Sequence, residues 1–231
     1  MSSVTDDGTN APDDGLPPWL TGLVRRTEGE VPPELARYAG PAPAGARGSA
    51  VLVLFGTGAR GPDLLFLRRS ESLRNYPDQV CFPGGSSAPA DADHIRTALR
   101  ETWEETGLDP SEVRIAGTVF PLHLAHSGFS VVPVLGWWGS GSEIAGDGEE
   151  IVSVHRVPLT ELSDPAARLF VRLPDGHLSP AFLVRNVFVW GLTAALTAWL
   201  LRLGGWERPW DTDRIEDLPD VRRRYGGGPP P

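Results

Sequence analysis

The chain has little cysteine, no excess of basic residues and no long apolar run. Its single cysteine, Cys81, excludes an internal disulfide framework and is consistent with a reducing compartment. A formal net charge of −9 disfavours non-specific binding of nucleic acids, because that binding needs basic surface. The most hydrophobic stretch, residues 187–201, is shorter than the roughly twenty residues that cross a bilayer, and the first thirty residues show no export signal. We therefore expect a cytoplasmic protein without a nucleic-acid or membrane partner.

The length of 231 residues fits one well-buried domain with extended ends. Usage of 27 glycines and 23 prolines exceeds the average and predicts long loops. We expect a disordered acidic tail over 1–16 and a proline-rich segment over 17–46, with two short surface helices that open at proline pairs. The main folded domain would span 47–210, and a flexible tail would follow at 211–231.

Short apolar runs rich in valine, leucine and aromatic residues predict strands at 49–55, 64–67, 114–122, 129–138, 150–156, 169–173 and 181–184. A mostly apolar helix at 189–203 is expected to be the last regular element. Strands in two groups around one central helix and one late helix suggest a mixed β-sheet between helices. The predicted fold class is therefore α/β or α+β, with three layers.

Residues 82–108 combine a tight turn with a helix, and we expect the chemistry there. The Pro-Gly-Gly sequence at 83–85 allows a backbone path that residues with a Cβ resist. Asp91 is a suitable N-cap for a helix over 92–105, and Gly107 stands where a helix ends. At about 100° per residue, one face of this helix collects the less polar side chains, namely Ile95, Ala98, Leu99, Thr102 and Trp103.

The opposite face of the helix carries Glu101, Glu104 and Glu105 within about a third of a turn. Like charges at this spacing repel, and the C-terminal turns of a helix disfavour negative charge. A positive partner is therefore expected. Arg96 and Arg100 are candidates within the chain, and a divalent cation is the other candidate, because hard cations take oxygen ligands of this kind. A solvated acidic face is the alternative interpretation.

These residues resemble the Nudix box, the signature of hydrolases that cleave a nucleoside diphosphate linked to another group. The resemblance rests on Gly85, Arg100, Glu101, Glu104, Glu105, Gly107 and Leu108. It implies the Nudix α/β/α sandwich with a mixed sheet. The general pattern wants an acid at position 92 and a glycine at position 86. Here Asp91 and Gly85 each come one residue early.

That one-residue offset is similar to the coenzyme A diphosphatase branch of the family, whose additional signature lies just upstream. The matching positions are Arg69, Ser70, Leu73, Arg74, Gln79, Val80, Phe82, Pro83, Gly84 and Gly85. Tyr76 and Asp78 depart from that signature, which usually has histidine and glycine there.

The family resemblance implies a metal site for Mg²⁺ or Mn²⁺. Its ligands would be the main-chain carbonyl of Gly85 and the carboxylates of Glu101, Glu104 and Glu105. Arg100 would orient a box carboxylate through an ion pair without touching the substrate.

The family pattern also implies a general base outside the box, in the loop before a strand that ends at a Pro-Leu turn. Glu150 holds that place, with Glu149 as the substitute and a solvated loop acid as the alternative. Arg69 and Arg74 are candidate phosphate contacts, because the arginine fork suits phosphate. Tyr76 could either stack on a base or pack.

The resemblance implies a hydrolase that splits coenzyme A into 3′,5′-ADP and 4′-phosphopantetheine, so the expected partner is a small nucleotide. Two alternatives remain open. One is a Nudix hydrolase of ADP-ribose, nucleoside triphosphates or nucleotide sugars. The other is a catalytically silent nucleotide-binding module. The oligomeric state is also open, with a homodimer as one possibility.

Overall fold

The computed structural model describes residues 15–42, 44–125, 127–139 and 143–225. Its α-helices are α1 (Pro18–Thr27), α2 (His94–Thr106), α3 (Leu159–Leu162), α4 (Gly191–Leu203) and α5 (Leu218–Tyr225). Its 3-10 helices are Pro33–Tyr38, Pro110–Glu112 and Pro165–Ala167. Its strands are β1 (Arg47–Gly58), β2 (Gly61–Arg69), β3 (Val80–Cys81), β4 (Gly84–Ser86), β5 (Arg114–Thr118), β6 (Leu122–Leu124), β7 (Phe129–Trp138), β8 (Ile151–Pro158), β9 (Arg168–Arg172), β10 (Leu178–Val184), β11 (Val187–Val189) and β12 (Ile215–Asp217).

Two mixed sheets form the framework of the described residues. The larger sheet has the order β3-β2-β1-β7-β5, with β4 paired to β1, β6 to β7 and β8 to β2. Its β1 and β7 run parallel, and its other pairs are antiparallel. The smaller sheet has the order β11-β10-β9-β12, in which β12 and β9 run parallel. The predicted α+β class with a mixed sheet between helices is confirmed.

Strand β1 is buried on both faces and separates two hydrophobic cores. Leu52 and Leu54 pack on the side of α2, while Val53 and Phe55 belong to the core that also contains the buried face of α4. A strand covered on both faces has a nearly continuous apolar sequence, because neither set of alternating side chains meets water. The three layers are therefore α2, the larger sheet, and the layer that includes α1 and α4.

Helix α4 is the apolar helix that the sequence predicts. It runs for thirteen residues and buries nine of them in a continuous series, Thr193 to Leu201. Among the helices of the described residues, none has both the length and the apolar character that spanning a bilayer requires.

The N-terminal proline-rich segment forms the two predicted short elements, α1 and the 3-10 helix Pro33–Tyr38. They lie on the surface as predicted, and their inner faces place Leu20, Leu23 and Leu35 fully buried in the core beneath α4. Each element turns an apolar stripe inward at a spacing of three residues. Of the predicted disordered tail, residues 1–14 lie outside the described residues, and Leu16 packs against this core.

The prediction of a flexible tail from residue 211 is corrected by β12 and α5. Strand β12 pairs with β9, and α5 buries Leu218 and Val221 beside Val171 and Phe188. This segment has few apolar residues, and they stand between charged ones. The glycines and prolines of the segment therefore favour a flexible tail when the sequence is considered alone. Helix α4 is therefore not the last regular element. Residues 226–231 of the predicted tail lie outside the described residues.

Helix α2 differs from its prediction at its start and on one face. Its N-cap is Asp93, whose carboxylate accepts a hydrogen bond from the Arg96 amide at 2.8 Å, so the helix begins two residues later than predicted. Its C-terminus at Gly107, with φ of 72°, is as predicted. Trp103 is 55% exposed instead of packed, because the buried stripe is centred on Ala98, Thr102 and the carboxylate of Glu105.

We expect Leu218→Ala to lower the free energy of unfolding by about 2 to 5 kcal/mol, because the side chain is almost fully buried. Urea denaturation measures this change. The control is Ile215→Ala in the neighbouring strand, where the side chain is partly exposed and the expected change is within about 1 kcal/mol. Equal effects of the two substitutions would contradict the packing of α5 described here.

Candidate active site

The turn at residues 83–85 brings the backbone against both β1 and α2. Gly84 has φ of 147°, and a Cβ there would lie 2.3 Å from the carbonyl oxygen of Ala50. A Cβ on Gly85 would lie 2.3 Å from Oε2 of Glu101. A side chain at Gly84 is therefore excluded by the backbone of β1, whereas a side chain at Gly85 would have to displace the carboxylate of Glu101.

The guanidinium of Arg100 connects the carboxylates of α2 to the segment before the helix. Its Nη1 donates to Glu101 and to Glu104, at 2.9 Å each. Its Nε and Nη2 donate to the two oxygens of Asp91 at 3.0 and 2.9 Å, and Nη2 also donates to the carbonyl of Ser86 at 2.9 Å. One planar group with five donors therefore holds three carboxylates and one carbonyl.

Asp91 is a site residue that the sequence reading assigned to a different role. It does not cap α2. Its carboxylate also accepts hydrogen bonds from the amide of Ala88 at 2.8 Å and the hydroxyl of Thr97 at 3.0 Å. The hydrogen bonds from Arg100 hold the pKa of Asp91 well below its usual range, and Asp91 in turn raises the pKa of Arg100. The available signal was its place near the acid of the Nudix pattern, one residue early.

The three glutamates of the box differ in burial. The side chain of Glu104 is 49% exposed, whereas Glu105 retains only 6% exposure and accepts a hydrogen bond from the Gly84 amide at 2.9 Å. Burial raises the pKa of Glu105 to about 8, although the Gly84 amide and the charge of Arg69 oppose this shift. Burial also raises the pKa of Glu101, against the hydrogen bond from Arg100. Buried carboxylates of this kind favour a nearby cation.

The carbonyl of Gly85 accepts a hydrogen bond from Ser49, a residue that the sequence analysis does not predict. The hydroxyl of Ser49, in β1, donates to this carbonyl at 2.6 Å. Ser49 lies almost fully buried and is paired in register with Ser86 of β4. The sequence signal for Ser49 is weak, since a serine at the start of an apolar strand is common.

Arg69 and Glu150 lie together beside the carboxylates. Nη2 of Arg69 is 3.7 Å from Oε2 of Glu150, whose side chain is 58% exposed. The Nε of Arg69 is buried and has no hydrogen-bond partner among the described residues. The charges of both Arg69 and Glu150 act on Glu105, which identifies these side chains as neighbours of the buried carboxylate.

The loop that carries Glu150 is fixed by one side chain. The Oδ1 of Asp147 accepts hydrogen bonds from the amides of Glu149, Glu150 and Ile151, each at 2.9 Å. The carbonyl of Glu150 in turn accepts a hydrogen bond from the Ser70 amide at 2.7 Å. The backbone of Glu150 is therefore held from both sides.

Arg74 and Tyr76 lie in the loop of residues 70–79, between β2 and β3. Arg74 is exposed and Tyr76 is half-buried with φ of 54°. Arg68, the third cation before the turn, forms an ion pair with the buried carboxylate of Asp78. In the described residues Arg69 contacts Glu150, and its charge acts on the pKa of Glu105, whereas Arg74 contacts neither.

The donor set around Gly85 fits a divalent cation in its chemistry. Glu101 occupies the space that a side chain on Gly85 would need, Glu105 accepts a hydrogen bond from the Gly84 amide, and Arg100 donates to both Glu101 and Glu104. In the described residues, no group of three His, Cys, Asp or Glu side chains stands in an arrangement that would hold a metal ion. Two of the box glutamates instead accept hydrogen bonds from Arg100.

Comparison with known proteins identifies relatives of this chain. The model of the NUDIX domain family matches residues 46–179, which is more than half of the chain. An uncharacterized Nudix hydrolase, NudL of Yersinia enterocolitica, is 36% identical over 138 residues, which cover 58% of this chain and 70% of NudL. NudL of Yersinia pestis strain Pestoides F is also 36% identical over 138 residues, with 58% and 69% covered.

Among solved structures, the Nudix hydrolase RenU of M. smegmatis superposes with a TM-score of 0.50 at 14% identity, over 72% of this chain and 90% of RenU. At this identity the similarity concerns the fold alone. The match of the family model and the identity to NudL carry the assignment further, and they show that this chain belongs to the Nudix hydrolase family.

Proposed function

We propose that this Nudix hydrolase cleaves the diphosphate of coenzyme A or its acyl derivatives into 3′,5′-ADP and 4′-phosphopantetheine or its acylated form. One observation carries the proposal. The loop that resembles the coenzyme A signature, residues 70–79, leads through β3 directly into the turn beside which Glu101 and Glu105 lie. A substrate diphosphate at the carboxylates would therefore lie beside this loop.

Nudix hydrolases generally use divalent metal ions. Here Glu101, Glu104, Glu105 and the carbonyl of Gly85 would hold Mg²⁺ or Mn²⁺, and the hydrogen bond from Ser49 would fix the direction of that carbonyl. When bound, the cation would neutralise charge on the phosphoryl oxygens and lower the pKa of a coordinated water.

Arg100 and Asp91 would act as a positioning pair for the metal ligands. Asp91 holds Nε and Nη2 of the guanidinium, which leaves Nη1 directed at Glu101 and Glu104. The two carboxylates are thus kept close together despite their mutual repulsion. In this role Arg100 does not need to contact the substrate.

Glu150 is the proposed general base, because it is exposed to the solution and its backbone is held beside the carboxylates by Asp147 and Ser70. It would take the proton from the attacking water as the new oxygen–phosphorus bond forms. The anhydride bond would break on the opposite side of the phosphorus, and the leaving phosphate would depart with its electron pair.

Arg69 is the better supported of the two proposed phosphate contacts. Its buried Nε has no hydrogen-bond partner among the described residues, and its Nη2 lies at the edge of the site next to Glu150. A substrate phosphate oxygen would accept a hydrogen bond from Nη2 in this position. Arg74 and Tyr76 would contribute from the exposed part of the loop.

The two departures from the coenzyme A signature, Asp78 and Tyr76, do not count equally against a coenzyme A substrate. Asp78 has φ of 58°, a left-handed conformation that glycine adopts easily and aspartate tolerates, so the loop keeps a backbone shape suited to glycine. Tyr76 replaces a histidine and changes the side chain offered to a substrate. This change favours, as the second candidate, a Nudix hydrolase of ADP-ribose, nucleoside triphosphates or nucleotide sugars.

We expect Glu104→Gln to reduce metal-dependent hydrolysis by about 10³-fold, because several kcal/mol of charge stabilisation would be lost with one metal ligand. Steady-state rates with Mg²⁺ measure the loss, and circular dichroism verifies the fold. Glu28→Gln, an exposed glutamate at the end of α1, serves as the control and should leave the rate unchanged. Full turnover by Glu104→Gln would refute the metal assignment.

Adjacent glutamates provide a matched test of the general base. We expect Glu150→Gln to lower kcat by about 10² to 10⁴-fold, the usual contribution of a general base. Glu149→Gln should retain the parental kcat, because only Glu150 lies against Arg69. The reverse result would transfer the role to Glu149.

Substrate choice is tested with coenzyme A, acyl-coenzyme A, ADP-ribose and nucleoside triphosphates, each assayed with Mg²⁺ and with Mn²⁺. We expect the highest kcat/KM for coenzyme A or its acyl forms, with 3′,5′-ADP identified among the products by chromatography. A preference for ADP-ribose or for triphosphates would overturn the coenzyme A proposal and leave the family membership intact.

A further inference from the structure

The segment of residues 145–151 joins two parts of the candidate site. At its start, the Ala145 amide approaches the carbonyl of Thr106, the last residue of α2, at 3.4 Å. Near its end, the carbonyl of Glu150 accepts a hydrogen bond from the amide of Ser70, which directly follows β2. The segment therefore runs from the helix that carries the proposed metal ligands to the end of β2.

Asp147 contributes more hydrogen bonds to its own loop than comparable aspartates of the chain. Its Oδ1 accepts from the amides two, three and four residues further on, at 2.9 Å each. Asp109 and Asp164, which precede short 3-10 helices, each accept one such bond with Oδ1, from the amide two residues further on. Hydrogen bonds to an ionised carboxylate are also stronger than those between neutral groups. Three of them on one oxygen fix the backbone at Glu150.

Two glycines adjoin Asp147 and restrict the segment to a compact path. Gly148 has φ of 79°, and its amide donates to the carbonyl of Ile151 at 3.2 Å. A Cβ on Gly146 would lie 2.2 Å from the oxygen of that same carbonyl. Side chains at both glycines are therefore disfavoured, for conformational and for steric reasons. The chain turns tightly around the Asp147 carboxylate.

The hydrogen bonds of Asp147 act on the main chain of Glu150 and not on its carboxylate. Oε2 of Glu150 lies 3.7 Å from Nη2 of Arg69, at the edge of the candidate site. A general base has to come within about 2.6 to 3.2 Å of the water that it deprotonates. An error of about 1 Å in the position of such a group can cost about 10²-fold in rate. The placement of the Glu150 backbone would therefore affect the rate of hydrolysis.

We infer that Asp147 is a positioning residue for hydrolysis, which acts by holding the backbone of Glu150 where its carboxylate can reach the attacking water. This inference rests on the proposed function in taking Glu150 as the general base. Asp147 itself does not need to contact the substrate or the water. Its effect would fall on kcat, because the phosphate contacts proposed for the substrate belong to β2 and to the loop of residues 70–79.

The first test separates the hydrogen-bond acceptor of Asp147 from its charge. Asp147→Asn keeps an oxygen in the place of Oδ1 and removes the charge, whereas Asp147→Glu keeps the charge and moves the acceptor by one methylene. We expect Asp147→Asn to retain kcat within about threefold, because neutral acceptors still bond amides. Asp147→Glu should lower kcat by about 10- to 100-fold, with KM within about twofold of the parental value. The reverse order would show that the charge matters, and it would overturn the inference.

Steady-state kinetics are measured on the nucleotide that the parental enzyme hydrolyses best. Asp147 is exposed, so these substitutions create no cavity and the fold should persist. Asp147→Ala removes the acceptor without adding volume, and it provides the same measurement if Asp147→Glu fails to fold. The control is Asp164→Ala, which removes the same kind of hydrogen bond before the 3-10 helix that leads into β9. Its kcat should equal the parental value.

A double variant distinguishes positioning from a general loss of structure. If Asp147 acts only through Glu150, adding Asp147→Glu to Glu150→Gln should cause no further fall in kcat, because the group that it positions is already inactive. A general disturbance of the fold would instead multiply the two losses. Multiplied losses would therefore overturn the inference.

Amide hydrogen exchange supplies a measurement that needs no substrate. We expect faster exchange at residues 149–151 in Asp147→Glu, nearly parental exchange in Asp147→Asn, and unchanged exchange in α2. Parental exchange at 149–151 or parental kcat in Asp147→Glu, while Glu150→Gln is impaired, would overturn the inference alone. Parental kcat in Glu150→Gln would refute the general base, and with it this role of Asp147, so the two failures are distinguishable.

Discussion

The site depends on keeping several negative charges close together at one turn of the backbone. Arg100 offsets this repulsion by donating to Glu101, Glu104 and Asp91 at once. Glu105 is held instead by a main-chain amide, in a position where its ionised form is disfavoured by burial. Gly84 of the turn is required because the backbone of the neighbouring strand leaves no room for a side chain, and a side chain at Gly85 would displace the carboxylate of Glu101. A bound cation would therefore stabilise this arrangement of negative charges.

The fold was largely readable from the sequence because most of its elements are strongly apolar. Runs of branched and aromatic residues identified strands such as β1 and β7, and the long apolar series identified α4. The C-terminal elements were missed for the opposite reason. Helix α5 contributes two buried aliphatic side chains among arginines and acids. These two side chains are buried only because the smaller sheet packs against them, and that contact is not visible in the sequence.

The candidate site residues that follow one another along a single helix could be predicted from their spacing. Those that come from separate elements were harder to predict. The box residues could be listed from the sequence. The pairing of Asp91 with Arg100 could not be predicted from the sequence, because a carboxylate before a helix is equally suited to capping that helix. The serine behind the Gly85 carbonyl comes from a strand 36 positions earlier, and such a distant partner leaves no periodic signal.

The position of β1 has a consequence for how such an enzyme can diversify. The strand divides the two cores and supplies the hydroxyl that supports the turn, so its geometry is shared by packing and by the site. Mutations that alter this strand would disturb both at once. We therefore expect changes in substrate preference to arise in the surrounding loops, which can vary while the strand and the turn are kept.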